Sequence, residues 1–118
     1  MENYFTLLEK ETIENSTIFK IELNKNHSVY KGHFPTIPVT PGVILVDICR
    51  ELTENLIGTS LHLVAARSMK FLIMVNPAIT PVLNVKIDYS FDNELYEVKA
   101  IGEFEGHIYF KIQATFAK

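Results

Sequence analysis

The sequence predicts an α+β domain in which one central helix packs against an antiparallel sheet. First, a helix is predicted over about residues 41–57, and its first three turns are apolar nearly all round, which is typical of a buried helix. Second, much of the remaining chain carries β-branched and aromatic residues in strand-like alternation. Third, several links between these segments have hairpin length, which favours antiparallel pairing. With 118 residues the chain has the size of one domain, and we expect residues 1–118 to form a single one.

Six segments are predicted to be strands, two before the helix and four after it. The pairs after the helix carry tight-turn signals at Asp92-Asn93 and Glu105-Gly106. Aromatic residues in these segments, Phe71 among them, are expected to pack in the sheet. The predicted strands are residues 3–9, 16–24, 61–75, 82–91, 95–104 and 107–116.

Local signals bound the predicted helix at both ends. Thr40 is expected to be the N-cap, with Pro41 at the first helical position, where its missing N–H costs nothing. Gly58 supplies a left-handed stop. A sheet of this size covers such an apolar helix only partly, so we expect a second copy of the chain to complete the burial, giving a homodimer.

Composition excludes several classes of function. The formal net charge is −3 and there is no lysine or arginine run, which argues against a nucleic-acid partner. Apolar runs such as Val43 to Val46 are far too short to span a membrane. The first ten residues mix acids with apolar residues and lack the features of a secretory signal, so we expect a cytoplasmic protein.

Cysteine and histidine usage indicates no metal or disulfide. Cys49 is the single cysteine, so it has no internal partner, and we interpret it as a core residue. His27, His62 and His107 lack metal-ligand spacing.

The segment from Gly32 to Asp47 is the most specific feature of the chain. Its first eleven residues contain three prolines and two glycines, which hold a loop in a defined extended path. His33 in this loop is a base that titrates near neutral pH. After Pro41 comes an apolar run that Asp47 interrupts, which carries a carboxylate toward the interior. We therefore expect a site that combines a histidine, the N–H groups of a helix start and an acid.

The run Gly-His-Phe-Pro-x-x-Pro-Val-x-Pro-Gly-Val, with a carboxylate five residues after its last glycine, resembles the signature of the hotdog-fold 3-hydroxyacyl-(acyl carrier protein) dehydratases. The resemblance implies a single hotdog fold, with a central helix wrapped by a sheet that continues across a dimer. It also implies dehydration of a 3-hydroxyacyl chain on acyl carrier protein to a trans-2-enoyl thioester, without a cofactor.

The resemblance also assigns roles to individual residues. His33 matches the base that takes the C2 proton, and Asp47 matches the acid that protonates the departing hydroxyl. The N–H of Gly42 binds the thioester oxygen, the carbonyl of Val39 orients the imidazole, and Val43 is grouped with them in substrate binding. The histidine and the acid come from different subunits, so each site spans the dimer interface.

The helix departs from this family at two positions. Aspartate at position 47 replaces the more usual glutamate and occurs in the branch that also isomerises the double bond, although Asp47 alone does not establish isomerase activity. Glu51 stands where the family usually has glutamine, four residues after Asp47 on the same helix face, so we expect two coupled carboxylates with Glu51 behind the site. The alternative is a structural Asp47 satisfied by backbone groups or by Arg50.

Three basic residues, Lys31, Arg67 and Lys70, are candidates for contact with an acidic carrier protein. The alternative is ordinary solvated surface. Two other functions stay open: a hotdog acyl thioesterase, in which a carboxylate activates water, and a non-catalytic subunit that binds acyl carrier protein.

Overall fold

The structure is a computed structural model that describes residues 4–27 and 39–118. One helix packs on an antiparallel sheet of six strands in the order β1-β2-β4-β5-β6-β3, which confirms the predicted α+β architecture. The elements are β1 (Phe5–Ile13), β2 (Ser16–Leu23), α1 (Gly42–Ile57), β3 (His62–Phe71), β4 (Val82–Asp92), β5 (Leu95–Phe104) and β6 (His107–Ala117).

The core forms between the buried stripe of α1 and the inner face of the sheet. Alternate residues of β2, β4, β5 and β6 are buried, as the period of two in a strand requires. Each fully buried aliphatic or aromatic side chain contributes about 1.5–3 kcal/mol. The principal core side chains are Phe19, Ile21, Leu45, Ile48, Leu52, Leu83, Val85, Ile87, Phe110, Ile112 and Phe116.

Cys49 is part of this core, as predicted. Its side chain is fully buried, and this burial raises the pKa of the thiol to about 12. The group is therefore a small apolar side chain rather than a reactive one.

The start of α1 corrects one sequence prediction. Pro41, not Thr40, is the N-cap, since its ψ of 150° is extended and its carbonyl accepts the first helical hydrogen bonds, from the N–H groups of Ile44 (3.0 Å) and Leu45 (3.2 Å). Thr40 is buried and its N–H donates to the carbonyl of Val75 at 2.8 Å, which ties it to the chain beyond β3.

The predicted end of the helix is confirmed. Gly58 adopts a φ of 81°, and its N–H donates to the carbonyl of Glu54 at 2.7 Å. This left-handed residue closes the last turn.

Two strands, β1 and β3, differ from their predicted bounds by more than one residue. β1 extends to Ile13 because its whole length pairs with β2 in a long hairpin. β3 ends at Phe71 rather than Val75, since the N–H groups of Leu72 (2.8 Å) and Ile73 (3.2 Å) both donate to the carbonyl of Tyr109 and the chain leaves the ladder there.

The tight turns are set by residues with positive φ. Glu105 (49°) and Gly106 (82°) form the predicted turn between β5 and β6. Between β4 and β5 the turn lies one residue later than expected, at Asn93 (52°) and Glu94 (63°), because Asp92 still pairs with Leu95. Positive φ at both central positions matches the twist of a hairpin.

The two edges of the sheet differ in chemistry. β1 interrupts its exposed apolar residues Leu7, Leu8 and Ile13 with a charged run from Glu9 to Glu11, whereas β3 exposes the apolar side chains of Leu63, Val64, Met69 and Phe71. Within the described ranges, the single helix has 16 residues and is too short and too polar to cross a membrane.

Candidate active site

A groove of about 520 Å³ opens between the first half of α1 and β3. Three residues singled out from the sequence line it, namely Gly42, Val43 and Asp47. Its walls are mainly apolar, as expected of a site for a small organic ligand. The other lining residues are Tyr4, Ile44, Val46, Arg50, Leu63, Ala66, Met69, Phe71 and Phe116.

Gly42, which lines this groove, is the first residue of α1. Because hydrogen bonding in α1 begins with the N–H groups of Ile44 and Leu45, the amides of Gly42 and Val43 have no acceptor within the helix. Such amides, at the positive end of the helix dipole, suit a developing negative charge on a ligand oxygen.

The ring of Phe71 closes in on Gly42 from β3. A Cβ atom added at Gly42 would lie 2.6 Å from Cζ of Phe71, so this position requires glycine or a displaced ring. The alternation of residues along β3 predicts that Phe71 packs in the sheet, and it does not identify Phe71 as a residue that lines the groove.

Asp47 lies on the rim of the groove and is less buried than its apolar surroundings in the sequence suggest. About a third of its side chain, 35%, is exposed. Its Oδ1 accepts a hydrogen bond from Nε of Arg50 at 2.8 Å. The structure therefore contains the ion pair with Arg50 that the sequence left open as an alternative. The i,i+3 spacing of the two residues on one helix indicates such a pair.

Arg50 is held by further groups beyond Asp47. Its Nη1 donates to Oε2 of Glu54 at 2.6 Å, and the same oxygen accepts the N–H of Leu61 at 2.6 Å. The hydrogen bond to Asp47 raises the pKa of the guanidinium above its ordinary value, with the nearby carboxylate charges adding to the effect. The network links the helix to the segment that leads into β3.

Glu51 lies one turn after Asp47 and is coupled to it. Burial raises the pKa of the Glu51 carboxyl, the negative charge of Asp47 raises it further, and the charge of Arg50 opposes the shift. Among the described residues its buried Oε2 has no hydrogen-bond partner.

None of the other predicted site residues that the structure describes lines the groove. His33 and Lys31 lie outside the described residues, and Val39 is partly buried just before α1. Arg67 on β3 donates from Nε to Oγ1 of Thr115 at 3.0 Å. Lys70 is exposed near the end of β3.

The sequence is similar to known dehydratases. A family model described as "ApeI-like: ApeI dehydratase" matches residues 9–108. The 3-hydroxyacyl-(acyl carrier protein) dehydratase FabZ of Rickettsia akari is 31% identical over 94 residues, which cover 64% of this chain and 65% of the relative. The FabZ of Rickettsia massiliae is 30% identical over 109 residues, which cover 77% of this chain and 74% of the relative.

A solved structure shares the fold over nearly the whole chain. The dehydratase heterocomplex ApeI:P from Xenorhabdus doucetiae matches with a TM-score of 0.75 and 16% identity, covering 97% of this chain and 98% of the other. The fold is therefore the hotdog fold implied by the Gly-His-Phe-Pro motif. With the family match over 9–108, the chain belongs to the ApeI-like dehydratases, in the wider group of hotdog 3-hydroxyacyl dehydratases.

Proposed function

We propose that this protein removes water from 3-hydroxyacyl chains on acyl carrier protein, giving trans-2-enoyl thioesters. The observation that carries the proposal is that the amide of Gly42 and the carboxylate of Asp47 belong to one mainly apolar groove. The FabZ relatives, which are named for this reaction, support it.

The elimination needs three groups. The imidazole of His33 takes the C2 proton as the C3–O bond breaks, and Asp47 gives a proton to the departing hydroxyl, which leaves as water. Negative charge that develops on the thioester oxygen is stabilised by the N–H of Gly42. The carbonyl of Val39 orients the imidazole, and Val43 contacts the substrate.

Substrate recognition is shared between the groove and the surface beside it. The apolar side chains of Leu63, Met69 and Phe71 suit an acyl chain. Lys31, Arg67 and Lys70 supply positive charge for the acidic carrier protein.

The active form in this proposal is a homodimer joined through β3. An exposed, apolar edge strand favours pairing with another strand, whereas the charged edge of β1 discourages it. In this arrangement a two-fold axis beside β3 extends the sheet across the dimer. The family resemblance pairs Asp47 with the partner's His33.

Incubation with 3-hydroxyacyl carrier protein, followed by intact-mass measurement, tests the activity. We expect the mass of the acylated carrier protein to fall by one water, because the acyl chain is dehydrated. The His33→Ala and Asp47→Asn variants should leave that mass unchanged. An unchanged substrate mass with folded protein would contradict the proposal and favour a non-catalytic subunit.

A thioesterase is the second candidate, because the groove contains the carboxylate of Asp47, held by Arg50, and a carboxylate can activate water. The same incubation separates the two activities. A thioesterase releases free acid and unloaded carrier protein, whereas a dehydratase leaves the acyl chain attached.

A further inference from the structure

The contacts of Arg50 single it out within the groove. It is the residue that joins Asp47 to the rest of the fold: Nε binds Oδ1 of Asp47 at 2.8 Å, and Nη1 binds Oε2 of Glu54 at 2.6 Å. Nη1 also approaches the carbonyl of Leu61 at 3.4 Å. The planar guanidinium uses two different edges for these bonds, which a flexible ammonium group does not reproduce.

We propose that Arg50 is a positioning residue that fixes the carboxylate of Asp47 in the groove and so determines which carboxylate oxygen meets the substrate. This inference rests on the proposed dehydratase function. It concerns a residue that does not itself touch the reacting atoms.

Arg50 binds one of the two carboxylate oxygens of Asp47. Oδ1 is engaged by Nε, while Oδ2 makes no hydrogen bond within residues 4–27 and 39–118. Oδ2 is therefore the oxygen available to the substrate hydroxyl. Because Glu54 and Leu61 in turn hold the guanidinium, rotation of the Asp47 side chain is restricted by two elements of the fold.

The charges that face Asp47 come mainly from its own helix. These are Arg50, bonded to it, and Glu51, with Glu54 behind the guanidinium. The lining residues that β3 and β6 contribute are apolar, and Tyr4 adds a phenol. Arg50 is thus the cation among the described lining residues.

Loss of Arg50 releases the carboxylate of Asp47, so fewer bound substrates have their hydroxyl in line with the acid. Because the groove that binds the acyl chain is unchanged, the loss appears in kcat rather than in KM.

Arg50→Met and Arg50→Lys are compared with the parent in steady-state kinetics. We expect Arg50→Met to lower kcat about tenfold with little change in KM. Arg50→Lys keeps the charge and should recover part of kcat. Lys99→Met, an exposed charge on β5, is the control for net charge and should match the parent.

A parent kcat in Arg50→Met would overturn the proposal. If the parent protein shows no dehydration, the proposed function fails, and nitrogen-15 NMR still decides the role of Arg50. The chain has two arginines, so the Arg50 variants assign the Nε–H signal. We expect that proton to exchange slowly in the parent and rapidly in Asp47→Asn, and rapid exchange in both would refute the positioning role.

Discussion

Phe71, the last residue of β3, packs its ring directly against Gly42, the first residue of α1. The 2.6 Å separation between Cζ and an added Cβ shows how closely the strand approaches the helix start. The requirement for glycine here comes from this approach and not from a left-handed backbone. The contact also places the ring beside the amide that is proposed to bind the thioester oxygen.

Gly42→Ala is expected to reduce activity more than stability. The methyl group displaces the Phe71 ring, which is 48% exposed and can move, so the loss of stability should be about 1 kcal/mol. Crowding of the amide should lower kcat/KM at least about tenfold. Urea unfolding and initial rates measure the two effects.

Gly58→Ala is the matched control for this substitution. Gly58 has a φ of 81° with nothing within 4 Å of an added Cβ, so alanine should cost about 1 kcal/mol through backbone strain and leave kcat/KM unchanged. Adding Phe71→Ala to Gly42→Ala should restore access to the amide. Parent kcat/KM in Gly42→Ala alone would rule out the proposed role of this N–H.

Glu51→Gln is expected to stabilise the protein at neutral pH. Since the raised pKa of Glu51 means that the folded state binds the proton more tightly than the unfolded chain, stability falls as pH rises from the ordinary glutamate value through the raised one. Solvent screening keeps the gain of the glutamine variant to about 1 kcal/mol or less, and the gain should vanish at acid pH.

Urea unfolding at a series of pH values measures this gain. Glu11→Gln on β1 replaces an exposed glutamate and serves as the control, with no comparable pH-dependent gain. If the free energy of unfolding of Glu51→Gln equals that of the parent at every pH, burial and the charge of Asp47 do not raise the pKa of Glu51.

The parts of this fold that the sequence predicted are those set by local chemistry. The end of α1 at Gly58 and the turn at Glu105-Gly106 both depend on residues that tolerate positive φ, so composition alone identifies them. The buried stripe of the helix follows from its apolar period. These features need no knowledge of distant contacts.

The parts that were missed depend on tertiary contacts. Thr40 has the residue type of an N-cap, but its N–H is committed to Val75, and Pro41 takes the cap. Strand alternation cannot show that Phe71 reaches Gly42 across the groove. The spacing from Asp47 to Arg50 permits an ion pair but does not decide it, because backbone groups could have satisfied the same carboxylate.

Lys70→Glu is expected to weaken use of carrier-protein substrates. Lys70 lies directly opposite Lys111 in the ladder between β3 and β6, and like charges in that position are destabilising unless a partner neutralises them. The variant should raise KM for acyl carrier protein substrates about tenfold, with a smaller effect on a thioester of a small thiol. Lys99→Glu on β5 is the control, and an equal rise in KM there would mean that net charge alone is responsible.

Val64→Lys is expected to break the proposed dimer. Val64 sits in an irregular part of the β3 ladder and is 48% exposed, so a lysine there places charge on the edge that pairs with a second copy. Sedimentation equilibrium should give twice the 13.5 kDa chain mass for the parent and a single chain mass for the variant. Ile13→Lys on the opposite edge should stay dimeric, and a monomeric parent would exclude this interface.

Mixing two inactive variants tests whether each site is shared between subunits. If His33 of one chain works with Asp47 of the other, a dimer of one His33→Ala chain and one Asp47→Asn chain has one site with both groups lost and one site intact. Random exchange then makes half of the dimers mixed, so about a quarter of all sites become active. We expect about that fraction of parent activity after the variants are unfolded together and refolded.

The outcome distinguishes this arrangement from a site within one chain. When both groups belong to the same chain, every site in a mixed dimer lacks one group, and the mixture stays as inactive as its components. A second mixture, His33→Ala with the double variant His33→Ala/Asp47→Asn, has no chain with His33 and should give no activity in either arrangement. Activity in the first mixture and not in the second would establish that the helix start of one subunit and the loop of its partner form a single active site.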